Sequence, residues 1–252
     1  GDSWTRLLSI SGVNSGVLLT YGQTSRFGVV LAKNDNLSFR KYSLSGTLLD
    51  EFTLSSPNIL HAPAAVSAGN VIDVVWEKWA SSSDKDIWYG RVRWSNWTME
   101  DEQIIDGQTS NSEFCTPHVD WGAVDVAVTY YSRTDRNLHS KRSTDMGHTW
   151  GSRKNVKLGV NVFSPRVCVA SSNDYATVMW GDFGVYYSYS TNHGETWRYA
   201  GELSSSGRNA YIGCWEYSGV WNALIEGTNN YVVRRYPSSP SGTNWSSFNV
   251  SD

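Results

Sequence analysis

Along most of this chain apolar and polar residues alternate with a period of two, in runs cut by Gly, Asn, Asp, Ser and Pro. Successive side chains of a strand point to opposite faces, so this pattern marks half-buried β-strands. Val71-Ile-Asp-Val-Val-Trp-Glu77 is one such run. Taken in order, the runs predict strands at 16–22, 27–32, 37–44 and 47–54, then at 64–68, 71–77, 86–94 and 97–105. A third group falls at 117–120, 124–131, 137–143 and 150–158, and a fourth at 165–170, 175–180, 184–190 and 197–203. A fifth falls at 209–215, 219–224, 230–236 and 245–250, and one further strand is expected at 4–10. No stretch holds a helical period, so the expected class is all-β with almost no helix.

A recurring octet explains the grouping in fours. Ser143-Thr-Asp-Met-Gly-His-Thr-Trp150 and Ser190-Thr-Asn-His-Gly-Glu-Thr-Trp197 share the pattern S-x-D/N-x-G-x-T-W. A third copy at 238–245 keeps the Ser, Gly242 and Trp245, and the segment ending at Trp97 keeps only the Trp. These tryptophans are spaced by 53, 47 and 48 residues. Four antiparallel strands repeated at that interval describe the blades of a β-propeller. The expectation is one domain, 1–252, of five four-stranded blades at 13–54, 57–105, 114–158, 164–203 and 209–250. Six blades is the alternative. Gly1-Asp-Ser-Trp4 matches the second half of an octet, so strand 4–10 is expected either to close the ring or to be an orphan open to pairing with another chain.

The octet's chemistry is that of a tight hairpin. Asp145 or Asn192 caps the turn through backbone N–H groups, and Gly147 and Gly194 supply a positive φ. The hydroxyls of Ser143, Thr149, Ser190 and Thr196 hold the turn, while Trp150 and Trp197 wedge between neighbouring sheets. All are expected to be structural.

Composition narrows the function classes. A net charge of −3 gives no broad electrostatic reason to bind nucleic acid or an anionic membrane, so neither is expected as a partner. No apolar segment approaches the eighteen residues a membrane helix needs. Cys115, Cys168 and Cys214 form no CxxC pair, so free buried thiols on neighbouring inner strands are expected. A Cys168–Cys214 bridge is the alternative, and neither a metal nor a cofactor is expected. Sequons at Asn36, Asn96, Asn244 and Asn249 are compatible with an extracellular or cell-surface protein. The 13 Trp and 14 Tyr beside only 7 Phe supply flat faces with polar tips, suited to blade packing and to sugars.

The octets at 143–150 and 190–197 resemble the Asp-boxes, or BNR repeats, of the sialidase-like propeller family. Ala62-Pro-Ala-Ala-Val66, the run at 71–77 and Asp86-Ile-Trp-Tyr89 are similar to a blade opening in that family. For an enzyme of this kind the resemblance implies three arginines on a substrate carboxylate, a Tyr–Glu nucleophile pair and an Asp acid/base. The family's Arg-Ile-Pro motif is absent, and the nearest string is Ser164-Pro-Arg166-Val. Arg133, Arg166 and Arg208 are the candidate triad, with Asp84 or Asp86 as acid.

Strand order places the octet hairpins on one face and the loops between second and third strands on the other. That second face is where a ligand is expected. Trp79, Glu77, Arg133, Asp135, Arg166 and Arg208 are its candidate binding residues. The leading expectation is a non-catalytic propeller that recognises a glycan or a protein. The alternatives are a sialidase-type exo-glycosidase and an assembly unit of a larger extracellular protein.

Overall fold

In the computed structural model the alternating runs become twenty strands. They are β1 (Ser15–Thr20), β2 (Arg26–Lys33), β3 (Asn36–Ser43), β4 (Leu48–Leu54), β5 (Ala64–Ala68), β6 (Val71–Ser81) and β7 (Asp84–Arg93). Next come β8 (Thr98–Asp106), β9 (Phe114–Trp121), β10 (Val126–Ser132), β11 (Asn137–Ser143), β12 (Lys154–Lys157), β13 (Arg166–Val169) and β14 (Tyr175–Gly181). The last are β15 (Gly184–Ser190), β16 (Arg198–Ser204), β17 (Gly213–Tyr217), β18 (Val220–Glu226), β19 (Val232–Pro237) and β20 (Trp245–Val250). The structure describes these strands with residues 44–47, 63, 69–70, 83, 94–97, 107, 113, 122, 125, 133–136, 144–153, 158–162, 165 and 191–197. For β1, β14 and β17–β20, and for residues 33, 54, 203 and 204, it describes the backbone alone. Strand 4–10, Arg208 and Gly242 lie outside the described residues.

The described strands form five four-stranded antiparallel sheets, each from four consecutive strands, and no described residue is helical. The first strands β1, β5, β9, β13 and β17 lie beside one another in succession. Apolar cores form between sheets, because each strand offers one face to each neighbour. Val30, Phe39, Trp76 and Trp97 share the core between the first two sheets. Val75, Ile87, Tyr89, Phe114, Val126 and Tyr130 share the next.

The octets fold as the residue types require. Ser143 Oγ accepts the Gly147 N–H at 2.7 Å and donates to Asp145 Oδ1 at 2.7 Å. Asp145 accepts the Thr149 N–H at 2.8 Å and the Thr149 hydroxyl at 2.6 Å. Those bonds hold its carboxyl well below the usual range. Ser190 and Asn192 repeat the arrangement toward Gly194 and Thr196. The turn needs two left-handed residues rather than the single glycine expected: Met146 (φ 59°) precedes Gly147 (φ 90°), and His193 (φ 58°) precedes Gly194 (φ 76°).

Trp97, Trp150 and Trp197 each reach the third strand of the preceding sheet. Lys41 Nζ lies 5.8 Å from the Trp97 ring, Tyr89 packs edge-on to Trp150 at 5.0 Å, and Trp197 Nε1 donates to Ser140 Oγ at 2.9 Å. Cys115 and Cys168 are buried on inner strands β9 and β13, and the side chain of Cys214 lies outside the described residues.

Several strand boundaries differ from expectation, and those around β6, β7 and β12 bear on the candidate residues. β6 and β7 run on through the expected loop at 77–86, because Glu77↔Ile87, Lys78↔Asp86 and Trp79↔Lys85 continue the ladder. Trp79 and Asp84 therefore stand on strands rather than on a loop, and Glu77 and Asp86 lie within strands rather than at their ends. β12 begins at Lys154 instead of Trp150, whose indole turns toward Tyr89.

Candidate functional site

Glu77 and Trp79 are two residues apart on β6, so both project from the face that looks toward β9, and Lys85 joins them as the cross-strand partner of Trp79. Trp79 Nε1 donates to Glu77 Oε1 at 2.7 Å. Lys85 Nζ lies 3.9 Å from the same oxygen and 4.3 Å from the Trp79 ring centre. Glu77 is 1% exposed and Lys85 5%, so this charge pair is desolvated, while Trp79 is half-buried. Pairing is what makes such burial tolerable.

β9 brings the next components. Burial raises the Cys115 thiol's pKa, with the charge of Glu77 adding to the shift and Arg133 opposing it. Glu77 and Arg133 therefore converge on the start of β9. Arg133 is exposed in the turn after β10, and its backbone N–H donates to Glu113 O at 2.9 Å. An indole, a carboxylate and an ammonium thus gather between the second and third sheets, with Arg133 near the start of β9.

The other expected residues lie elsewhere. Asp86 projects from the opposite face of β7, paired with Lys78. Burial pushes its carboxyl up to about 6, with Asp84 and Asp106 adding to the effect and Lys78 opposing it. Its Oδ1 has no hydrogen-bond partner among the described residues. Gly107 (φ 129°) sits so near that a Cβ there would lie 2.0 Å from that oxygen.

Asp135 is engaged in its own turn. Against the upward push of burial, bonds from Ser132, His139 and Asn137 hold its carboxyl below the usual range. His139 Nε2 stands 3.1 Å from Asp135 Oδ2. Arg166 is half-buried on β13, where its Nη1 donates to Pro165 O at 3.3 Å. Burial, and after it the charge of Arg166, lowers the pKa of His118 on β9. Arg133 and Arg166 therefore flank different points of the same inner strand.

Sequence reasoning passed over Lys85, read Cys115 only as a buried thiol, and missed the link between inner strands. His118 Nδ1 accepts the Val167 N–H at 3.2 Å, and Asp120 Oδ2 accepts the Val169 N–H at 2.8 Å. Burial pushes Asp120 up to about 7. The available signal was the alternation of polar side chains in a short inner strand, His118-Val-Asp120. Among the described residues no cluster of His, Cys, Asp or Glu could hold a metal, and no helix is long and apolar enough to cross a membrane.

Neither a protein-family model nor a curated protein sequence matches the chain. Solved structures do. The SapL1 lectin in complex with α-methyl fucoside matches with a TM-score of 0.64 at 14% identity, over 94% of this chain and 82% of that one. An endo-arabinase from Bacteroides thetaiotaomicron matches with a TM-score of 0.58 at 11% identity, over 98% and 96%. The Hadza microbial sialidase Hz136 matches with a TM-score of 0.55 at 16% identity, over 88% of this chain and 54% of that one. The chain thus spans about half the length of that sialidase. Its fold is one that lectins and glycosidases share, and at these identities the likeness is one of fold alone.

Proposed function

We propose that the chain is a five-bladed propeller of the Asp-box type that recognises carbohydrate without cleaving it, through the face opposite the octet turns. The observation that carries this reading is the Trp79–Glu77–Lys85 constellation with Arg133 at its edge. An indole face suits the C–H face of a sugar ring, and fixed polar groups beside it set orientation. The five four-stranded sheets and the geometry of the two octets support the propeller reading. The sequons support an extracellular or cell-surface setting for it.

A glycan array with wild-type protein and Trp79→Ala tests the proposal. Saturable glycan binding that Trp79→Ala weakens tenfold or more, about 1.4 kcal/mol, is the expected result. No binding by the wild type, or binding indifferent to Trp79→Ala, rejects it. Asp86 favours a second reading, a glycosidase, because a carboxyl raised to about 6 by burial suits a general acid. Hydrolysis of a fluorogenic sialoside that disappears in Asp86→Asn would replace the first reading with the second.

A further inference from the structure

The turn between β7 and β8 stands where the third and fourth sheets carry their octets, and of that pattern it keeps only Trp97. Backbone bonds fix its frame. The Trp94 N–H donates to Asn70 O at 2.8 Å, and the Trp97 N–H donates to Arg93 O at 2.9 Å. Both tryptophans are buried in the core shared with the first sheet. Anchored on either side, the turn holds Ser95 and Asn96 at its tip, where both are exposed.

In an octet the equivalent hairpin consumes its polar side chain. Asn192 Oδ1 accepts the Thr196 N–H at 3.0 Å and its Nδ2 donates to Thr196 Oγ1 at 2.9 Å, so the carboxamide is locked inside the turn. Asn96 has no such task. Its Oδ1 accepts the hydroxyl of exposed Thr98 at 2.9 Å, and among the described residues its Nδ2 donates to no protein atom. Asn96-Trp-Thr98 is a sequon. The sequon Asn36-Leu-Ser38 is built differently: Leu37 is fully buried, and buried Ser38 donates its hydroxyl to Glu51 Oε1 at 2.9 Å. The side chains of Asn244 and Asn249 lie outside the described residues.

We propose that Asn96 is a site of N-glycosylation, an inference that rests on the extracellular setting proposed above. The acceptor is the Asn96 carboxamide, and the donor is an oligosaccharide carried on a polyprenyl pyrophosphate. A bond forms between Nδ2 and C1 of the first sugar, and the C1–O bond to the pyrophosphate breaks. Polyprenyl pyrophosphate leaves with the bonding electrons, and Nδ2 gives up one proton to a base of the transferase. An N-x-S/T triplet on a surface turn suits this transfer, because the product is bulky and must stay in water. The ladder of β6 and β7 sets the consequence. Arg93 pairs with Val71 at one end and Lys85 with Trp79 near the other, eight residues along β7, or about 26 Å at about 3.3 Å per residue. The glycan therefore covers the octet side of the second sheet and leaves the Trp79 face open.

The test is expression of the full chain behind a cleavable signal peptide in a eukaryotic host, as wild type, Asn96→Gln, Thr98→Ala and Thr98→Ser. Cells and medium are both sampled, so the readout does not depend on export. Amidase release of N-glycans in heavy-oxygen water converts each glycosylated asparagine to a labelled aspartate, read by peptide mass spectrometry. The expected result is label at Asn96 in most wild-type chains. Asn96→Gln and Thr98→Ala should each carry one glycan fewer by gel mobility, while Thr98→Ser keeps it. These substitutions lie on an exposed turn, and thermal melting verifies that the variants fold. An unlabelled Asn96 in chains that carry label at another sequon overturns the assignment, as does label at Asn96 that persists in Thr98→Ala. Chains without label at any sequon overturn it too, and also withdraw the support that the sequons give to an extracellular setting.

Discussion

Gly147→Ala and Gly194→Ala make the same chemical change at equivalent octet positions, and the structure assigns them different costs. Both glycines have left-handed backbones, φ 90° and 76°, where an added Cβ costs about 1–2 kcal/mol. At Gly147 the new methyl would also lie 2.0 Å from the Tyr89 hydroxyl and 2.4 Å from its ring carbon. That ring is fully buried and tethered by its hydroxyl to Asp73, so it cannot swing aside. Overpacking of this kind adds about 1–3 kcal/mol. Gly194 borders a cavity of about 310 Å3 beside Ser140, where the third sheet has no tyrosine, and is expected to carry the backbone term alone.

Gly147→Ala should therefore cost about 3 kcal/mol, lowering Tm by roughly 6–12 °C for a domain of this size. Gly194→Ala should cost about 1 kcal/mol and lower it by roughly 2–4 °C. Urea denaturation of both variants, with m-values compared to the wild type, measures the difference. The steric part should vanish when Gly147→Ala is made in a Tyr89→Ser background. Equal losses at the two glycines, or an undiminished loss in that background, would refute the packing argument.

Two further outcomes test the seams between sheets. Asp73→Ala leaves the Arg91 guanidinium, 4% exposed, without its carboxylate, and should cost about 3–5 kcal/mol in urea denaturation; a loss near zero would show that Arg91 finds water instead. The Asp120 carboxyl is raised by burial from 3.8 to about 7, so the fold favours its protonated form. Its contribution to stability is therefore complete below about pH 4 and is lost as pH rises toward 7. Asp120→Asn should flatten that decline between pH 4 and 7, read from denaturation midpoints, and an unchanged pH profile would contradict it.

The sequence by itself determined the strands, their grouping in fours and the octet turns, because these rest on short-range rules. Period-two alternation records which face of each strand is buried, and Ser, Asp or Asn, Gly and Thr at fixed offsets specify one hairpin wherever they occur. Tertiary structure decided which polar residues are sealed between sheets. Glu77 and Asp86 read as strand ends bordering a loop, yet continued cross-strand pairing carries them into the middle of buried ladders. Asp135 looked available for a ligand and is occupied by its own turn. The exchange of Tyr89 for Ser140 is visible in the sequence only as a change of residue type. That Ser140 borders a cavity depends on how closely the next octet approaches, a distance set by neighbouring sheets and not by local periodicity.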